Sequence, residues 1–164
     1  MSDRYDLLLP PDLISTIKSM PRRWSAALYL ASAASDDSFT RPGADGLSAA
    51  QHTGIMLAQV DVLAEAIRAT SFNRDEVLGE EVLAAMADNG SDHEAASVGD
   101  ALNAIERAMD ALAAKLESLT TSDWNTEART VDGTVTLVSL VQGAARVAVE
   151  RLRKTEQAIG GSQD

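Results

Sequence analysis

Hydrophobic positions recur with a helical period along most of the 164-residue chain. The clearest run is Leu102, Ile105, Met109, Leu112, Leu116 and Leu119, whose three- and four-residue spacing puts all six on one helix face. Ser97 and Asp100 ahead of it suit an N-cap pair. A second stripe, His52, Met56, Gln59, Val60, Leu63 and Ile67, follows Ser48 and Gln51, which are spaced as a capping box, and predicts a helix from Ser48 to near Thr70. A third, Leu137, Leu140, Val141, Ala144, Val147, Ala148, Arg151 and Leu152, predicts a last helix over 136–157. Nearer the start, Asp12 to Ser19 reads as a short helix between Pro10-Pro11 and Pro21. Residues 22–34 read as a second, with Trp24, Ala27, Leu28 and Ala31 on one face. Residues 74–86 read as a more acidic helix, and the polar stretches 35–46, 87–96 and 120–133 read as turns.

The two halves echo each other. Ser35-Asp36 precedes Asp45-Gly46 as Ser122-Asp123 precedes Asp132-Gly133, at a constant offset of 87 residues, with helices on either side. The pattern predicts an all-α fold, a four-helix bundle with long connections plus one or two short extra helices, in which facing helices could build a central site. It reads as one domain over 1–164, with 1–10 and 158–164 flexible.

Composition agrees and narrows the chemistry. Alanine, the strongest helix former, supplies 28 residues, and there are only six aromatics. No apolar run is long enough for a membrane span, and Leu7 to Leu9, ended by Pro10-Pro11, is too short for a signal-peptide core, so the expectation is a cytoplasmic protein that does not engage membranes. With no Cys there are no disulfides and no thiolate ligands, and the two His leave few imidazole ligands. The net charge of −11, without a basic stripe, argues against nucleic-acid binding. Neither a phosphate-cradling glycine loop nor a Gly-x-Ser-x-Gly elbow is present.

Three sets of residues resemble a known family. Met20-Pro21-Arg22-Arg23-Trp24, Arg41-Pro42-Gly43 and Gly46-Leu47-Ser48-Ala49-Ala50-Gln51 are similar to the first half of DinB-like/YfiT-like proteins. Asp132-Gly133-Thr134-Val135-Thr136-Leu137, with Leu140-Val141 and Leu152, resembles their second-half signature, and Asp123-Trp124-Asn125 resembles the Asp-Trp turn of some members. The resemblance implies a four-helix bundle holding a divalent metal with three His, one from the second bundle helix and two, four residues apart, from the last. In such members, which include mycothiol-dependent maleylpyruvate isomerases and bacillithiol transferases, the centre activates a low-molecular-weight thiol for transfer or isomerisation, or performs hydrolysis.

Carried onto this chain, the three ligand positions fall on Ile55, Val147 and Arg151, none of which binds a divalent metal. His52 lies one turn before the first position, and Glu150 is the ligand-capable residue beside the last pair. The expectation is therefore a site without metal or other cofactor, a vestigial pocket of His52, Ile55, Glu150 and Arg151, and no catalytic residues. The protein would be a binding or interaction module, potentially a homodimer, with its small-molecule ligand unknown. The alternative is a thiol-dependent transferase or isomerase with an altered, metal-free site.

Two residues stay open at this level. His52 is either a partly buried helix histidine satisfied by backbone or solvent, or a general base in the vestigial pocket. Arg151 either snorkels outward beside Glu150 and Arg153, favoured by the helix dipole, or replaces the metal's positive charge, held by a bundle carboxylate or binding an anionic ligand. Ile55, Val147 and Arg151 are expected to approach one another in the interior. Trp24, Trp124, Met56, Met86 and Met109 read as packing residues, and His93 as part of an exposed turn.

Overall fold

Two of the helix starts are capped as their sequences dictate. Gln51 N donates to Ser48 Oγ at 3.1 Å while Ser48 N donates to Gln51 Oε1 at 2.9 Å, a reciprocal capping box opening helix α2 (Ala49–Phe72). Asp100 N donates to Ser97 Oγ at 3.1 Å at the start of α4 (Val98–Glu117). The structure, a computed structural model, describes residues 4–34, 37–72, 76–88 and 92–160. Around α2 and α4 it places α1 (Pro10–Ala34), the short α3 (Glu80–Met86) and α5 (Leu137–Gly160). The four long helices form the bundle, with α2 packed against α5, α1 against α4 and α5, and α3 docked on α2 and α5. The stripes predicted on α2 and α5 are buried throughout, including His52 and Arg151.

Three local expectations change. The residues on either side of Pro21 form one helix, not two. Pro in a helix interior costs about 3 kcal/mol relative to Ala. Ile17, Met20, Trp24 and Leu28 are fully buried on one face across the proline, and each such side chain contributes about 1.5–3 kcal/mol on burial, so packing carries the helix through. Residues 76–79 are not helical: Val77–Leu78 form strand β1, and α3 begins only after Gly79. The predicted turn region 120–133 contains a 3-10 turn at Asp123–Asn125, strand β2 (Glu127–Thr130) and the start of β3 (Gly133–Thr136). The small sheet runs β1-β2-β3, with β1 parallel to β2 and β2 antiparallel to β3, and it ties the two long connections together.

The repeated Asp-Gly pairs do the same work in both halves. Gly46 and Gly133 both take positive φ, at 85° and 150°, where the absence of a Cβ permits the turn into the next element. Ser35 and Asp36, the other half of that echo, lie outside the described residues, as do Asn89-Gly90. Residues 4–7 form a 3-10 turn, and Ala158 and Ile159 are buried near the end of α5.

Candidate functional site

The first turn of α2 meets the later part of α5 through side chains, and the contact is polar. His52 is fully buried and Arg151 is only 4% exposed. Arg151 Nη1 lies 3.2 Å from His52 Nδ1. Its Nε donates to Asp88 Oδ1 at 2.8 Å, and its Nη2 donates to the Asp88 carbonyl at 3.1 Å. Lys154 Nζ, one turn along, donates to Asp88 Oδ2 at 3.1 Å. At the other end, His52 Nε2 lies 3.2 Å from Asp45 Oδ2, an ion-pair distance without hydrogen-bond alignment. The result is one chain of side chains, Asp45, His52, Arg151, Asp88 and Lys154, running from a half-exposed carboxylate into the interior and out again.

Each member is placed by its local sequence. Asp45 precedes the Gly46 turn and accepts from Leu47 N at 3.1 Å, which fixes its carboxylate in front of α2. Asp88 follows α3 in a left-handed conformation (φ 58°), which turns its carboxylate and its carbonyl toward α5. Arg146 and Arg151 of α5 donate to the carbonyls of Met86 and Asp88, so two cations hold the negative end of α3. The connection after α3 is pressed onto α2 as well. Ala95 N donates to Ala50 O at 3.1 Å, and a Cβ at Gly54 would come within 2.8 Å of the backbone of His93 and Glu94.

These contacts set protonation. An arginine N–H facing Nδ1 requires that nitrogen to present its lone pair, which puts the ring proton of His52 on Nε2, toward Asp45. Burial holds the pKa of His52 below the usual histidine range; Asp45 opposes this and Arg151 reinforces it. The neutral imidazole is therefore the resident form. For Asp45, burial alone would raise the pKa, but the Leu47 amide and His52 together bring it below the usual carboxylate range.

Arg151 does not snorkel outward. Asp88, which the sequence reads as part of a solvated acidic surface with Glu76, Glu80 and Glu81, instead turns inward and supplies the carboxylate that makes the burial of Arg151 tolerable. Arg151 faces His52, one turn before the mapped position Ile55. Ile55 is buried but stands apart from the contiguous apolar core that contains Val147. Glu150 is half-buried and takes no part in the chain of contacts. His93 is exposed, Trp24 and Trp124 are buried, and among the described residues no group of three or more His, Asp or Glu side chains is arranged to hold a metal ion.

The fold that carries this interhelical locus is a four-helix bundle with long connections between its helices. A solved structure with the same fold is that of YfiT from Bacillus subtilis, described as a probable metal-dependent hydrolase with an unusual four-helix bundle topology. It superposes with a TM-score of 0.67 over 93% of this chain and 89% of that one, at 14% sequence identity, a level at which the likeness speaks for the fold alone. No protein-family model matches the sequence. No curated protein matches it significantly. No described helix is long and apolar enough to cross a membrane.

Proposed function

We propose that this protein is a DinB-like bundle in which a guanidinium stands where relatives carry a metal, and that it works as a non-catalytic binding or interaction module. The contact between Arg151 and His52 Nδ1 carries the reading. A divalent ion needs an imidazole lone pair, and the lone pair of His52 is directed at an arginine N–H. Arg151 is itself a permanent cation, so it supplies positive charge at the locus and disfavours a second one. Ile55 and Val147, at the other mapped ligand positions, offer no ligand atoms. The donor set thus does not fit the family metal.

The same contacts argue against a retained metal-free enzyme. A general base must present a free lone pair to a substrate proton. His52 is fully buried, with one nitrogen against Arg151 and the other turned to Asp45, so it is positioned to hold helices together. We propose a cytoplasmic location for the protein.

Metal analysis of untagged protein, purified without chelators, tests it. The expected result is zinc and nickel well below one equivalent, and no turnover with thiol cosubstrates. Stoichiometric metal that disappears in His52→Ala would overturn the reading, as would thiol-dependent turnover.

A further inference from the structure

A groove of about 400 Å³ lies between α2 and the β1–α3 segment, away from the His52–Arg151 locus. Its walls include the apolar side chains of Val62, Ala66 and Val82, and its rim carries four exposed carboxylates, Asp61, Glu65, Glu76 and Glu81. The nearby cation Arg68 is engaged with Glu65. One side of the groove is β1 itself: Val77, Leu78 and Gly79 line it. β1 is the terminal strand of the sheet, paired on one edge with β2, and Val77 is 53% exposed. Apolar walls, an acidic rim and a strand edge without a second strand partner among the described residues thus converge on one place.

We propose that this groove docks a basic, extended segment of a partner protein, laid along β1 with alternate apolar side chains on the groove floor and lysine or arginine side chains on the rim. Extended geometry follows from the strand edge, since main-chain hydrogen bonding to an open edge is the general mode by which a sheet takes up a peptide. Alternation follows from the period of two in a strand, which sends successive side chains to opposite sides. Basic character follows from the rim carboxylates beyond the Arg68-paired Glu65, namely Asp61, Glu76 and Glu81, and from the chain's net charge of −11, which steers cations toward it. The proposal gives the interaction role its surface and rests on that role; it does not depend on the metal content of the locus near Arg151, which is measured separately.

The test is fluorescence anisotropy with a labelled hexapeptide of alternating lysine and valine, titrated with the full chain. Binding is expected to weaken about tenfold when Asp61→Asn, Glu76→Gln and Glu81→Gln are combined. It should change less than twofold when Glu94→Gln, Glu106→Gln and Asp110→Asn remove the same charge from other exposed positions. The amide resonances that shift should centre on Val77, Leu78 and Gly79. Replacing valine by serine in the peptide, or N-methylating alternate amides, should also weaken binding. Three results would overturn the proposal: no binding at all, equal weakening by the two sets of substitutions, or equally effective displacement of the peptide by a polyamine of matched charge. Circular dichroism of both triple variants establishes that they fold before binding is compared.

Discussion

Arg151 Nη1 lies 3.2 Å from His52 Nδ1, with both side chains out of solvent, and the contact holds only while the imidazole is neutral. A cation buried beside another potential cation is stable here because Asp88 takes the charge of Arg151 through both its carboxylate and its carbonyl. Removing one partner of a buried pair typically costs about 3–5 kcal/mol when the other is left uncompensated, and because Asp88 would keep Lys154 the lower end of that range applies here. Arg151→Met is therefore expected to lower unfolding stability by that order in urea titrations. Arg151→Lys should recover less than half, since one ammonium cannot span Asp88 Oδ1, Asp88 O and His52. A loss below about 1 kcal/mol in Arg151→Met would mean that the network has no structural weight.

If the guanidinium stands in for an ion, imidazoles should be able to bring the ion back. Residues four apart on a helix project from one face. The combined Val147→His and Arg151→His substitutions, with His52 opposite, are expected to take up about one equivalent of zinc by calorimetry where the parent takes up none. Adding His52→Ala should abolish the uptake. Zinc uptake that survives His52→Ala would show that His52 is not the third ligand and that another residue completes the site.

The pH dependence of stability follows from the same geometry. The folded protein holds the pKa of His52 below its ordinary value of 6.5, so the folded state binds fewer protons than the unfolded one at this site. Its contribution is fully present above about pH 6.5 and is lost progressively as pH falls from there toward the lowered folded value. Asp45, whose folded pKa also lies below its ordinary 3.8, contributes above that value and loses its contribution at still lower pH. Denaturation midpoints measured between pH 8 and 5 should fall on the acid side, and His52→Gln should flatten that slope. An unchanged slope would assign the acid sensitivity to other groups.

Much of this architecture was legible because large apolar residues keep a strict helical period. The stripes of α2, α4 and α5 and the caps at Ser48 and Ser97 needed nothing beyond spacing and side-chain chemistry. The hairpin was hidden for the converse reason. Along β2 the buried positions are Ala128 and Thr130 while Glu127 and Arg129 are exposed, so the alternation is real but carries little hydrophobic contrast. Pro21 misled because propensity is local and the burial that outweighs it is tertiary. The site was half legible: Arg151 on an apolar stripe demanded a partner, but Asp88 lies 63 residues away and reaches it only through a left-handed turn. That Arg151 contacts His52, one helical turn before the mapped Ile55, is a detail finer than a degenerate motif can fix.

The reciprocal cap at Ser48 sits one turn before His52, so it supports the site as well as the helix. Ser48 is buried, which leaves the Gln51 amide no water to replace the lost oxygen. Ser48→Ala is expected to cost about 1–2 kcal/mol, the upper part of the range for helix N-caps. Ser48→Asp should restore most of it. Thermal unfolding of both variants distinguishes a capping role from simple packing, which aspartate would not rescue.

The closest backbone approach in this region gives the last prediction. A Cβ on Gly54 would stand 2.7 Å from Glu94 N and 2.7 Å from the carbonyl carbon of His93, closer than real Cβ contacts come. The obstacle is backbone, so relief requires moving the 92–96 segment away from α2, which strains the hydrogen bond from Ala95 N to Ala50 O. In an exposed helix interior Gly→Ala would stabilise by about 1 kcal/mol. Here overpacking should reverse the sign, with Gly54→Ala destabilising by about 1–3 kcal/mol. Hydrogen exchange should show the Ala95 amide losing protection in the variant. A stabilised Gly54→Ala with Ala95 still protected would mean that the loop does not press on α2 at this point.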